Sequence, residues 1–152
     1  MNALIDLGSA AYTWLDRLLQ PVFLLGARLY VANAFFSSGR EKLNDWSSTL
    51  ALFHDEYKVP VLPPDLAAYV GTFGELFFPV LIAFGLFGRL GAIGLFFVNV
   101  MAVLSYPQLW EFECPAAIND HFFWGALLIA IIAFGPGTLS LDRLLARRFK
   151  RS

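Results

Sequence analysis

Arg28, Lys42, Glu75, Asn99, Asp120 and His121 are the side chains in this sequence that could move a proton or hold a polar ligand, because each stands inside or beside a long apolar stretch. Arg28 falls within FLLGARLYVANAFF and Glu75 within YVGTFGELFFPVLIAF, near the middle of two such stretches. A lone charge at the centre of a bilayer costs at least ~2.5 to 3.5 kcal/mol, so two opposite charges at similar depth are expected to pair. The spacing therefore predicts an Arg28–Glu75 contact. Pro79 marks the same depth as special, since a proline deprives the carbonyl four residues earlier of its helical donor, and that carbonyl belongs to Glu75. Asn99, in LFFVNVMAV, falls at about the same level and completes the expected network. The alternative for this trio is structural: polar groups that bond one another and fix helix register without binding anything.

A second group gathers near one membrane face. Asp120 and His121 open the last apolar stretch, while Arg40 and Lys42 follow the first. Together they suggest a proton-accessible or ligand-binding mouth, in which His121 has the side chain whose ordinary pKa, about 6.5, suits proton exchange near neutrality. Interfacial anchoring by His121, with Asp120 capping a helix start, is the competing reading. Cys114, the single cysteine, lies seven residues before His121, and thiolate with imidazole suits a soft metal such as copper. An ordinary loop thiol explains it better, so no metal ligand is assigned. No residue is assigned a catalytic role.

The elements that must position these groups follow from composition. Of 152 residues, 58% are hydrophobic, 16% aromatic and 15% charged, a balance that a soluble domain of this size could not cover with polar surface. Mean hydropathy is +0.62. About 20 apolar residues cross the hydrocarbon as a helix, and residues 18–37, 64–86, 90–106 and 118–134 meet that need. The expected fold is all-α, a four-transmembrane-helix bundle forming a single membrane domain over residues 1–152. Pro21 is placed in the first turn of the first span, where a missing N–H does no harm.

Between the first two spans, Trp46, Leu50, Phe53 and Tyr57 recur on one helical face, with Lys42, Asp45, Ser48 and Asp55 elsewhere. An amphipathic helix in the interface plane is expected there, ended by Pro60, Pro63 and Pro64. The tail at 140–152 carries Arg143, Arg147, Arg148, Lys150 and Arg151, and the turn between spans two and three carries Arg89. The connection holding Glu111, Glu113 and Asp120 has no Lys or Arg, so both termini are expected on the cytoplasmic side. Ser140 or Asp142 could cap a short helix after the stop at Gly135 and Pro136. A formal net charge of -1 provides no basic face for nucleic acid. No phosphate-cradling glycine loop, nucleophile elbow or HExxH pair is present.

The order of these features resembles the DoxX family of small four-helix bacterial membrane proteins. The residues that carry the likeness are Arg28 with the FFSSGREKL stretch after it, Glu75 before the GLFGRLGA turn, the Asp120–His121 pair, and the closing GPGTLSLD. TLALFHDEYKVPVLPPDLAAYVGTFGEL and SYPQLWEFECPAAINDHFFWGALL look closer still to DoxX-like proteins encoded beside biosynthesis genes for metal-binding modified peptides. The resemblance implies an inner-membrane protein, in some members a subunit of a sulfur-oxidising, quinone-reducing system, in others a partner of soluble redox enzymes. It also carries Arg28, Lys42, Glu75, Asp120 and His121 over as recurrent polar positions.

The sequence thus supports a non-autonomous, redox-linked membrane subunit of a quinone-type or metal-stress system, with quinone as the candidate cofactor. The competing class is a noncatalytic scaffold for soluble enzymes or an exported metal-binding peptide. A homo-oligomer is a further arrangement to test, and a channel would require one.

Overall fold

Helix α1 (Asn2–Asn44) runs well past both ends of its apolar stretch in the computed structural model of the chain, which describes residues 2–111 and 115–149. Pro21 therefore lies inside α1 and not in its first turn. The expectation failed because hydropathy marks where lipid begins, whereas helix geometry continues as long as local propensity allows. After α1 come α2 (Trp46–Asp55), α3 (Pro64–Phe84), α4 (Gly88–Ser105), a single 3-10 turn at Pro107–Trp110, α5 (Pro115–Phe134) and α6 (Leu141–Phe149). The described residues contain no strand, so the fold is all-α.

Four segments are long and apolar enough to cross a membrane: Thr13–Asn44, Pro64–Phe84, Gly88–Ser105 and Ala116–Phe134. The protein is a multi-pass membrane protein, and its four long helices form a closed ring in which α1 packs on α3, α3 on α4, α4 on α5, and α5 back on α1. Leu24, Ala27, Val31 and Phe35 recur every three or four residues on α1 and meet Ile82, Leu95, Leu128 and Ile131 at the centre. The other faces carry exposed Phe73, Phe77, Phe97, Phe122 and Phe123, which suit contact with lipid tails.

Lipid is as apolar as leucine, so the ring must be held by close packing and internal polar contacts rather than by escape from water. Gly39 shows this. A Cβ added there would come within 3.1 Å of the Glu75 Cβ and 2.9 Å of Leu76 Cγ, so its absence lets α1 and α3 approach.

Helix α2 starts on Asp45, whose carboxylate accepts the Ser48 N–H at 3.0 Å and the Ser47 and Ser48 hydroxyls at 2.7 Å each. These bonds hold the Asp45 carboxyl at a pKa of about 2. The Thr49 hydroxyl donates back to the Lys42 carbonyl at 2.8 Å and locks the bend between α1 and α2. The amphipathic face has the expected membership, and the structure shows what it covers. Phe53 is buried against Ala67 and Ala68 of α3, with Trp46, Leu50 and Tyr57 packed around them. Thus α2 closes one end of the bundle.

The opposite end is closed by the chain between α5 and α6. Gly85 ends α3 at φ +64°, and a side chain there would collide with the Arg28 guanidinium and with Ser140. Phe87, at φ +48°, precedes α4 without any capping bond from its own side chain. The missing cap comes from far along the chain: the Asp142 carboxylate accepts the amides of Phe87 at 2.8 Å and Gly88 at 2.9 Å. Ser140, in turn, accepts the Arg143 amide at 3.4 Å and caps α6. Of the two expected caps, Ser140 serves α6 and Asp142 serves α4.

Candidate functional site

The expected Arg28–Glu75 pair does not form. Gly39 of α1 lies beside Glu75 of α3, while Gly85, just past the end of α3, lies beside Arg28. Eleven residues separate Arg28 from Gly39, a rise of about 16 Å along a helix. The two charges belong to opposite ends of the bundle. Each is satisfied locally.

Arg28 is fully buried and spends its guanidinium on carbonyls. Its Nε donates to Leu24 O and its Nη1 to Ile82 O, each at 3.3 Å, and its Nη2 donates to Leu139 O. Asp142 stands within electrostatic reach. One side chain thereby ties α1 to the end of α3 and to the segment before α6.

Glu75 instead faces Lys42, whose ammonium lies 2.9 Å from Oε1 and 2.7 Å from Oε2 and also donates to Ser38 Oγ at 2.9 Å. Both members are largely buried, with side-chain exposures of 15% and 11%. Lys42, five residues beyond the end of the expected span, reaches the site because α1 continues to Asn44. Tyr57, on the segment that leaves α2, stands close enough for Glu75 to act on its phenol. Burial first, and then the negative charge of Glu75, push that phenol up to about 12.

Asn99 and His121 add the second half of the cluster from α4 and α5. Asn99 Nδ2 donates to the His121 carbonyl at 3.0 Å, which fixes the amide orientation. Its Oδ1, 2.8 Å from His121 Nδ1, must then accept, so Nδ1 carries a proton. In the neutral ring the acceptor is Nε2, for which the described residues provide no hydrogen-bond partner. Lys42 lies within electrostatic reach of the ring, which joins the two halves. Beside His121, at 4.9 Å between ring centroids, stands Trp124, whose Nε1 is buried with no acceptor among the described residues. Thr72 Oγ1, one turn from Glu75, is likewise buried and unbonded. Neither orphan was legible in the sequence, because a tryptophan or threonine in an apolar helix is ordinary there.

Lys42, Glu75, Asn99 and His121 therefore converge at the end covered by α2, and Arg28 stands apart. The expectation that Asn99 would join Arg28 is overturned with the pair itself. Asp120 lies on the exposed surface of α5, in its second turn, because that helix begins at Pro115; it influences His121 electrostatically but does not cap the helix. Arg40 is exposed and makes no contact with the cluster. Cys114 and Glu113 lie outside the described residues, so the soft-metal reading has no geometry behind it.

Residues 23–107 match the family model named DoxX, a stretch that includes Arg28, Lys42, Glu75 and Asn99 and stops short of His121. An uncharacterized protein of Haemophilus influenzae is 31% identical over 129 residues, which cover 83% of this chain and 85% of that one. No solved structure matches. More than half of the chain fits the family model, and the fit takes in both the Arg28 anchor and the Lys42–Glu75 pair: the chain belongs to the DoxX family.

Proposed function

We propose that this protein is the membrane subunit of a redox-linked system in a bacterial inner membrane, with both termini cytoplasmic, and that the cluster under α2 receives the polar head of a quinone-type amphiphile. The observation that carries this reading is the Asn99–His121 arrangement, which leaves the Nε2 lone pair of His121 outside its structural bond while Lys42, paired with Glu75, stands within electrostatic reach. A purely structural histidine would be expected to use both ring nitrogens or to face lipid.

The residues present fit such a head. The Trp124 Nε1–H is a buried donor in need of an acceptor, Thr72 Oγ1 offers both roles, and the Phe35 ring at 5.2 Å from Trp124 supplies an apolar wall. A quinone, when bound, contributes two-electron, two-proton chemistry. What the chain itself contributes is the handling of protons: His121 Nε2 takes or gives one, and the Lys42–Glu75 pair holds a compensating charge close by. Tyr57 stands within electrostatic reach of Glu75, and its ring packs at 4.7 Å on Phe53, which is buried against Ala67 and Ala68. Electrons would have to come from a partner subunit, since the described residues contain one histidine at this site and no ligand set for heme.

The test is thermal unfolding of the purified protein with decylubiquinone and a menaquinone analogue, together with extraction of lipid from the native preparation. Quinone in the extract, and stabilisation by several degrees that His121→Phe removes, is the expected outcome. Indifference of the melting temperature, with an extract free of quinone, rules the reading out.

A further inference from the structure

A second cavity-lined region lies at the other end of the bundle, away from the Lys42–Glu75 cluster. We propose that it is a binding site for the head of an anionic membrane phospholipid.

The cavity, of about 840 Å³, lies between α1, the start of α4, the end of α5 and α6. Its volume is in the range of small-molecule sites. Its polar rim is cationic, formed by Arg17, Arg89 and Arg143. The one acidic side chain in the lining, Asp142, is turned onto the Phe87 and Gly88 amides, and its single negative charge is outnumbered by the three arginines. Arg89 keeps one nitrogen on the Ala133 carbonyl at 3.3 Å, which fixes the guanidinium over Gly135 and leaves its remaining N–H groups for a ligand. Arginine is suited to phosphate because its planar fork matches two oxygens at once.

Depth selects the source of the phosphate. The apolar walls are Leu24, Leu90 and Phe134, and the membrane-crossing segments of α4 and α5 end at Gly88 and Phe134. The cavity thus sits where hydrocarbon gives way to headgroups, with apolar side chains toward the membrane and arginines toward water. Free phosphate would use the rim alone. A phospholipid would use the rim for its head and the walls for the upper part of its chains. Arg147 and Arg148, in the last turn of α6, extend the positive surface beyond the cavity.

The experiment compares phosphatidylglycerol, phosphatidylcholine and inorganic phosphate as additives to the protein in neutral detergent, read by thermal unfolding and by native mass spectrometry of bound lipid. Phosphatidylglycerol should raise the melting temperature by several degrees and survive as a bound adduct, with the other two having less than a third of that effect. The exposed pair R17Q/R143Q should lose at least half of the stabilisation, whereas R40Q/K58Q, equal in charge change and at the opposite end, should keep it. Equal stabilisation by phosphatidylcholine overturns the proposal, as does an equal effect of inorganic phosphate. Equal loss in the two double variants assigns the effect to net charge and overturns the site. Should R17Q/R143Q fail to fold, adduct counting on the unaltered protein with the two lipids in competition decides: a preference of less than twofold for phosphatidylglycerol overturns it.

Discussion

The ammonium of Lys42 touches both carboxylate oxygens of Glu75 across the α1–α3 contact, where Gly39 has no side chain to keep the helices apart. The other cation inside the bundle, Arg28, touches no carboxylate at all and is bonded only to carbonyls. The two therefore differ in what their loss should do.

Removing one member of a largely buried ion pair leaves its partner uncompensated, which costs more than the pair contributes. Lys42→Met is expected to destabilise the protein by about 3 kcal/mol, and the double change K42M/E75L to recover most of that loss. Unfolding by denaturing detergent in mixed micelles measures both. A single variant as stable as the parent contradicts the geometry.

Replacing Asn99 by Leu removes the acceptor that holds the proton on His121 Nδ1. The ring should then shift toward the Nε2–H form that free imidazole favours. The chain has two histidines, so nitrogen NMR on labelled protein resolves both, and His54 acts as the internal reference. An unchanged His121 pattern would show that Asn99 does not set the tautomer.

Asp142→Ala deprives the first turn of α4 of its cap. The amides of Phe87 and Gly88 should exchange with solvent about tenfold faster, corresponding to the loss of roughly one charge-assisted hydrogen bond each. Arg28→Met should produce the same change, because it frees the Leu139 carbonyl and with it the segment that presents Asp142. Exchange confined to α6 in both variants would sink this account.

The phenol of Tyr57 ionises at about 12 in the folded protein, above its ordinary value near 10. Its folded pKa is raised, so the stability it contributes is complete below pH 10 and is lost as pH rises toward 12. Absorbance titration of the parent against Tyr57→Phe should show one tyrosine ionising late. A difference spectrum that titrates near pH 10 would mean that Tyr57 is not buried beside Glu75.

Much of the fold was legible because hydropathy and periodicity are both local. The four spans and the Trp46, Leu50, Phe53 and Tyr57 face follow from residues within one or two turns of each other. The Arg28–Glu75 misreading arose from treating the centre of each apolar stretch as a common depth. Register is set instead by where a glycine admits a neighbouring side chain, Gly39 admitting Glu75 and Gly85 admitting Arg28, and no single stretch reveals its partner. Lys42 and His121 were recognised as candidates, yet their neighbours were not. For Asp142 a signal did exist: α4 opens at Phe87 and Gly88 with no Ser, Thr, Asp or Asn to cap it, so an acceptor had to arrive from elsewhere.

Gly88 and Asp142 are 54 residues apart in the chain. During synthesis, α4 is made before Asp142 exists, so its leading amides must rely on water or headgroups while α5 is made and threaded. The bundle can lock only after the last crossing is in place, which makes the Asp142 segment a late fastener. A chain cut short ahead of this residue would lack that fastener.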